Sequence, residues 1–99
     1  NTSDESIIVN PESFSMGAAY PNPFNGNVNF SVTSTKESSI LISILSLDGK
    51  LIKEFKSYIN KNDSKVINWI PDSNLSSGIY LVLVESELDR KYQKISFIK

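Results

Sequence analysis

The chain contains no cysteine and no histidine. The first absence excludes a disulfide framework and thiolate metal sites, although it leaves the compartment open. The second removes the commonest general base and the commonest metal ligand, so most catalytic constellations have no members to draw on. Alanine is scarce too, with two residues against twelve Ile, eight Leu and six Val. That mix favours pleated sheet over helix. Neither sign of charge dominates: ten basic and eleven acidic residues leave a net charge of -1. Without a positive field, neither nucleic acid nor a membrane surface is expected as a partner. No apolar run approaches the roughly 20 residues that cross a bilayer, so no membrane insertion is expected. The acidic, polar start from Asn1 to Ser6 lacks the pattern of a signal peptide. Residues 1–10 read as the remnant of a linker to a larger parent, and residues 11–99 as one domain.

What is present is alternation. Over residues 27–33, Val28, Phe30 and Val32 share one face and polar residues the other, the pattern of a half-buried strand. Ile40, Ile42 and Ile44 alternate in a second strand, and Ile67 and Trp69 share a face in another. Residues 79–84 are apolar on both faces and should lie centrally, while residues 90–99 form the last strand. Residues 11–20, weakly patterned, read as an extended first strand at a sheet edge. Between them and Val28, Pro21 and Pro23 fix their own φ and push Tyr20 and Asn22 out of the helical region. The segment therefore leaves one sheet and is aimed rigidly at the other, with Phe24 plugging the core.

Two turns compete at Ser46-Leu47-Asp48-Gly49-Lys50. A two-residue Asp-Gly hairpin sets Ile44 opposite Lys53, whereas a type I turn with Gly49 as a left-handed bulge residue sets Ile44 opposite Ile52. Facing residues share a sheet face, which favours the second. That register puts Leu41, Leu45, Leu51 and Phe55 on the face opposite the isoleucines, as a patch for a partner or as ordinary surface relieved by a local bulge.

Seven or so short antiparallel strands with turn chemistry between them describe an all-β, immunoglobulin-like sandwich, with Trp69 filling the space that a disulfide and tryptophan share in antibody domains. The aspartates Asp48, Asp63, Asp72 and Asp89 stand singly, without calcium-ligand spacing, and the serines have no evident activating base. Neither an enzyme nor a cofactor is expected.

The residues also resemble a known family, the type A C-terminal sorting domains of the type IX secretion system of Bacteroidetes and their relatives. Tyr20-Pro21-Asn22-Pro23-Phe24-Asn25, Leu47-Asp48-Gly49-Lys50-Leu51-Ile52, Trp69, Leu75-Ser76-Ser77-Gly78-Ile79-Tyr80 and Lys94-Ile95-Ser96-Phe97-Ile98-Lys99 carry the resemblance. Gly26-Asn27 depart from it, standing where the family usually has proline or threonine. The resemblance implies a non-enzymatic module on an exported protein, read by the outer-membrane type IX machinery and attached to an N-terminal passenger domain. The whole would travel through the periplasm and outer membrane to be secreted or displayed at the cell surface. The residues it marks for sorting are Pro21, Asn22, Pro23, Phe24, Gly49, Gly78, Tyr80, Lys94, Ile98 and Lys99. From the residues alone, the short last strand with its terminal cations reads as open to a partner, and the alternation and composition as those of a monomer. The same motifs also resemble the immunoglobulin-like part of flagellar hook-capping proteins. A third alternative is a passive spacer or carbohydrate-binding module of a secreted glycan-degrading enzyme, for which Tyr58 and Tyr92 are the plausible platform.

Overall fold

The computed structural model describes residues 14–87 and 89–99. The linker expected over residues 1–10, and the domain start at residue 11, lie outside the described residues. Among the described residues seven strands form: β1 (Phe14–Met16), β2 (Val28–Ser34), β3 (Ser38–Ser46), β4 (Leu51–Ile59), β5 (Asp63–Trp69), β6 (Gly78–Glu85) and β7 (Arg90–Phe97). The pairings between these strands are all antiparallel, giving a three-stranded sheet in the order β1-β2-β5 and a four-stranded sheet in the order β4-β3-β6-β7. This is the expected immunoglobulin-like sandwich, with β4 hydrogen-bonded to β3 where the constant-type arrangement places the fourth strand on the opposite sheet.

Alternation assigns the faces. Val28, Phe30 and Val32 of β2 and Ile40, Ile42 and Ile44 of β3 meet Val82 and Val84 of β6 and Ile95 of β7 in one core. Each such side chain contributes about 1.5–3 kcal/mol when fully buried. β6 lies between β3 and β7, as its two apolar faces require. β1 is a sheet edge, again as read from its weak pattern.

The β3–β4 connection is the predicted type I turn with a different register beyond it. Gly49 N–H donates to the Ser46 carbonyl at 2.9 Å, Ser46 N–H donates to the Lys50 carbonyl at 2.9 Å, and Gly49 takes φ 91°. Leu45 then faces Leu51 as expected, but Ile44 faces Lys53 and not Ile52, because a bulge follows immediately. The inserted residue lets Ile52 and Phe55 both pack on the core, with Phe55 opposite Ile42. Phe55 therefore belongs to the core and not to the second apolar face. Leu41, Leu45 and Leu51 remain on the outer face, beside Leu81 and Leu83 of β6.

Candidate functional site

After β1 the chain runs along the seam between the sheets. Gly17 N–H donates to the Ser31 carbonyl at 2.9 Å, and Tyr20 exchanges backbone bonds with Asn29 at 3.0 and 2.9 Å, so the segment begins against β2. Pro21 and Pro23, both preceded by cis peptide bonds, carry it to the other sheet. There Phe24 forms a parallel bridge with Phe97: Phe24 N–H donates to the Ser96 carbonyl at 2.9 Å, and Ile98 N–H donates to the Phe24 carbonyl at 2.8 Å. The crossover inferred from the prolines is what the chain makes, and Phe24 is buried as the plug.

Aromatic rings close this end of the sandwich. Phe24 stacks on Phe97 with centroids 5.1 Å apart and lies 5.9 Å from Trp69, which meets Tyr80 edge-on at 6.3 Å. Trp69 is thus a buried member of the end wall. It is a core member, as expected, and stands opposite Val28 at the end of β5. The Tyr80 hydroxyl donates to the Ser76 carbonyl at 2.6 Å, the tyrosine corner that pins the loop entering the sixth strand in many immunoglobulin-like domains.

The remaining predicted residues gather at the same end. Gly78 opens β6 opposite Phe97. The Gly49 turn lies next to them, because Ser46 at its start faces Tyr80. Lys99 N–H donates to Ser77 Oγ at 2.8 Å, which fixes the end of the described chain against the β5–β6 loop. Lys94 and Lys99 are exposed, and Ile98 is 55% exposed despite being apolar. Pro21, Pro23, Phe24, Asn25 and Ile98 line a shallow cleft of about 310 Å³.

The outer edge of β7 departs from the expectation of an open strand guarded only by charge. Besides the Phe24 bonds, Asn22 Nδ2 donates to the Lys94 carbonyl at 3.3 Å, and Asn22 Oδ1 accepts from Ser96 N–H at 2.9 Å. Gln93 extends the contact, accepting from Ala19 N–H and donating to the Gly17 carbonyl, both at 2.9 Å. Sequence reasoning passed over Gln93. Its signal was a polar side chain at a position whose neighbours by alternation, Ile95 and Phe97, are buried.

Among the described residues no group of three His, Cys, Asp or Glu side chains could hold a metal ion. Asp48 accepts from Ser46 Oγ, and chiefly that bond holds its carboxyl below the usual value, helped by backbone amides and the Lys50 charge. Tyr58 and Tyr92 are exposed but sit on β4 and β7, the opposite edges of the four-stranded sheet, separated by about 14 Å across the strands and by four residues along them, since Tyr58 faces Ser39 and Tyr92 aligns through Leu83 with Ser43. That is no continuous platform for a sugar ring.

The fold is similar to part of the crystal structure of dimeric latent PorU from Porphyromonas gingivalis, with TM-score 0.65, 14% identity, and coverage of 93% of this chain and 10% of that one. It is also similar to part of a beta-glucosidase from Listeria innocua in complex with gluconolactone, with TM-score 0.50, 11% identity, and coverage of 87% and 16%. The chain therefore spans a small fraction of each, and at these identities the likeness is one of fold. None of the curated proteins matches the chain. Among protein families, residues 18–99 match the one described as the secretion system C-terminal sorting domain. That stretch takes in the crossover, the turn, the tyrosine corner and the terminal strand, and the chain belongs to this family, whose members are sorting signals for type IX secretion.

Proposed function

We propose that the sorting signal is the end of the sandwich built by residues 20–25, the Gly49 turn, the tyrosine corner and residues 94–99. One observation carries this: the ten residues singled out from separate sequence motifs converge on that end, and they divide into two kinds. Asn22, through its bonds to β7, and Phe24, Gly49, Gly78 and Tyr80 hold the shape, while Pro21, Pro23, Lys94, Ile98 and Lys99 are presented to solvent. An exposed apolar side chain flanked by cations is a surface for a protein partner. On this reading the module is a non-catalytic monomer, and its partner is the outer-membrane machinery that exports the attached passenger from the periplasm. A protein bearing this domain is a secreted or cell-surface protein.

The full chain fused behind a passenger with a Sec signal, in a cell possessing the type IX machinery, tests this. The fusion is expected outside the cell, and the double variant Lys94→Glu, Ile98→Asp is expected to hold it in the periplasm with an unchanged denaturation midpoint. Export of the variant at the wild-type level would remove these side chains from the signal, and retention of the parent fusion would defeat the sorting role itself.

A further inference from the structure

The four-stranded sheet ends in two strands whose outer edges are managed differently. Exposed edges template further strands, and proteins blunt them with bulges, lysines or a cover. β4 carries the bulge after Leu51, and Lys53 and Lys56 flank Phe55, with the Lys53 cation 5.7 Å from its ring centre. β7 has no such interruption, since its pairing with β6 runs in unbroken register from Gly78↔Phe97 to Glu85↔Arg90. A regular strand of this length would offer a second copy of the chain an antiparallel partner, β7 against β7, joining two four-stranded sheets into one.

Residues 17–24 occupy that edge instead. Phe24 takes the Ser96 carbonyl and the Ile98 amide with its own backbone, and Asn22 acts as one more rung with its side chain, taking the Ser96 amide and the Lys94 carbonyl. Gln93 ties the preceding stretch down through Gly17 and Ala19. The Phe24 ring anchors the whole segment in the core.

We infer that residues 17–24 are a built-in edge guard that closes β7 to strand addition by a second copy of the chain. A partner then meets the terminal strand through side chains such as Lys94 and Ile98, not through its backbone edge. The guard stands independently of the sorting role, because it concerns self-association alone.

The test uses the full chain and two measurements, amide hydrogen exchange and sedimentation across a concentration series. In the wild type, Ser96 and Ile98 amides should exchange as slowly as those of the β6–β7 ladder, and the chain should sediment as a monomer throughout. In Asn22→Ala, Gln93→Ala, exchange at Ser96 should rise about tenfold or more, the order expected for loss of a hydrogen bond, and a concentration-dependent dimer should appear. Asn22→Asp retains the acceptor for Ser96 N–H and should keep that amide slow. If the double variant also loses protection in β6, Asn22→Ala alone, which leaves Gln93 and Phe24 in place, is read by the same measurements. Unprotected Ser96 and Ile98 in the wild type would show that no guard is seated. A folded variant with a fast Ser96 amide that stays monomeric at every concentration would show that the edge needs none.

Discussion

The ring of Phe24 lies on the ring of Phe97, centroids 5.1 Å apart and planes inclined by 27°. The contact joins the crossover segment to the last strand, so folding must bring the two ends of the domain together before the end wall closes. Phe24→Ala is expected to cost about 3–5 kcal/mol, because the space it leaves is walled by Phe97 and Trp69 and cannot collapse freely. Against the total of about 5–15 kcal/mol usual for such domains, that approaches unfolding. Chemical denaturation measures it, and a loss below about 1 kcal/mol would mean that the ring is not a core member.

Gly49 isolates a backbone effect. Its φ is 91° and nothing lies within 4 Å of where a Cβ would stand, so a side chain there meets strain but no clash. Gly49→Val should destabilise by roughly 1–3 kcal/mol, and Gly49→Asn by clearly less, because asparagine tolerates the left-handed region. Equal midpoints for the two variants would contradict the conformational account.

Tyr80→Phe removes the corner bond and nothing else of size. The Ser76 carbonyl loses its donor, and the loss expected is about 0.5–1.5 kcal/mol. A denaturation midpoint unchanged from wild type would mean that the hydroxyl is equally well served by water.

Acid acts on the turn through Asp48. Its folded-state pKa is depressed, principally by the Ser46 hydroxyl, so its contribution to stability is complete above the unfolded-state pKa and is lost as pH falls through the folded one. Below about pH 4 the wild type should therefore lose stability relative to Asp48→Asn, and the two pH profiles should converge at the acid end. Profiles that stay parallel from pH 6 to pH 2 would show that Asp48 makes no such contribution.

Most of the fold was legible because period-2 alternation fixes which face of a strand is buried. Val28, Phe30 and Val32 declare their face, and the two-faced apolar run of β6 declares its central place. The prolines at 21 and 23 announced the crossover, because a residue without an N–H cannot sit in a central strand. The bulge beyond Leu51 was legible only as an alternative: apolar residues on both faces of the hairpin allowed a local bulge but not its position, and that position moves Phe55 to the core side and sends Ile59 inward. The cover on β7 was hidden for a different reason. Asn22 and Gln93 act there through single side-chain amides paired across more than seventy residues; nothing local distinguishes Asn22 from a solvated polar residue, and Gln93 leaves only the trace of its alternation with Ile95 and Phe97.

Truncation separates the signal from the fold, provided the cut respects Phe97. Removing residues 96–99 deletes a buried aromatic together with the partner of Phe24, so that variant should lose protease resistance and fail to export because it is unfolded. Removing residues 98–99 leaves Phe97 in place and takes away two exposed side chains, along with the Ile98 bond to Phe24 and the Lys99 bond to Ser77. Two hydrogen bonds at a strand end amount to about 1–3 kcal/mol, small enough for the sandwich to stay closed. The shorter cut should therefore give a protease-resistant domain whose passenger is retained in the periplasm. Measuring extracellular passenger and protease resistance on the same cultures decides the matter. A folded variant lacking residues 98–99 that is exported as well as the full chain would place the signal elsewhere on the sandwich.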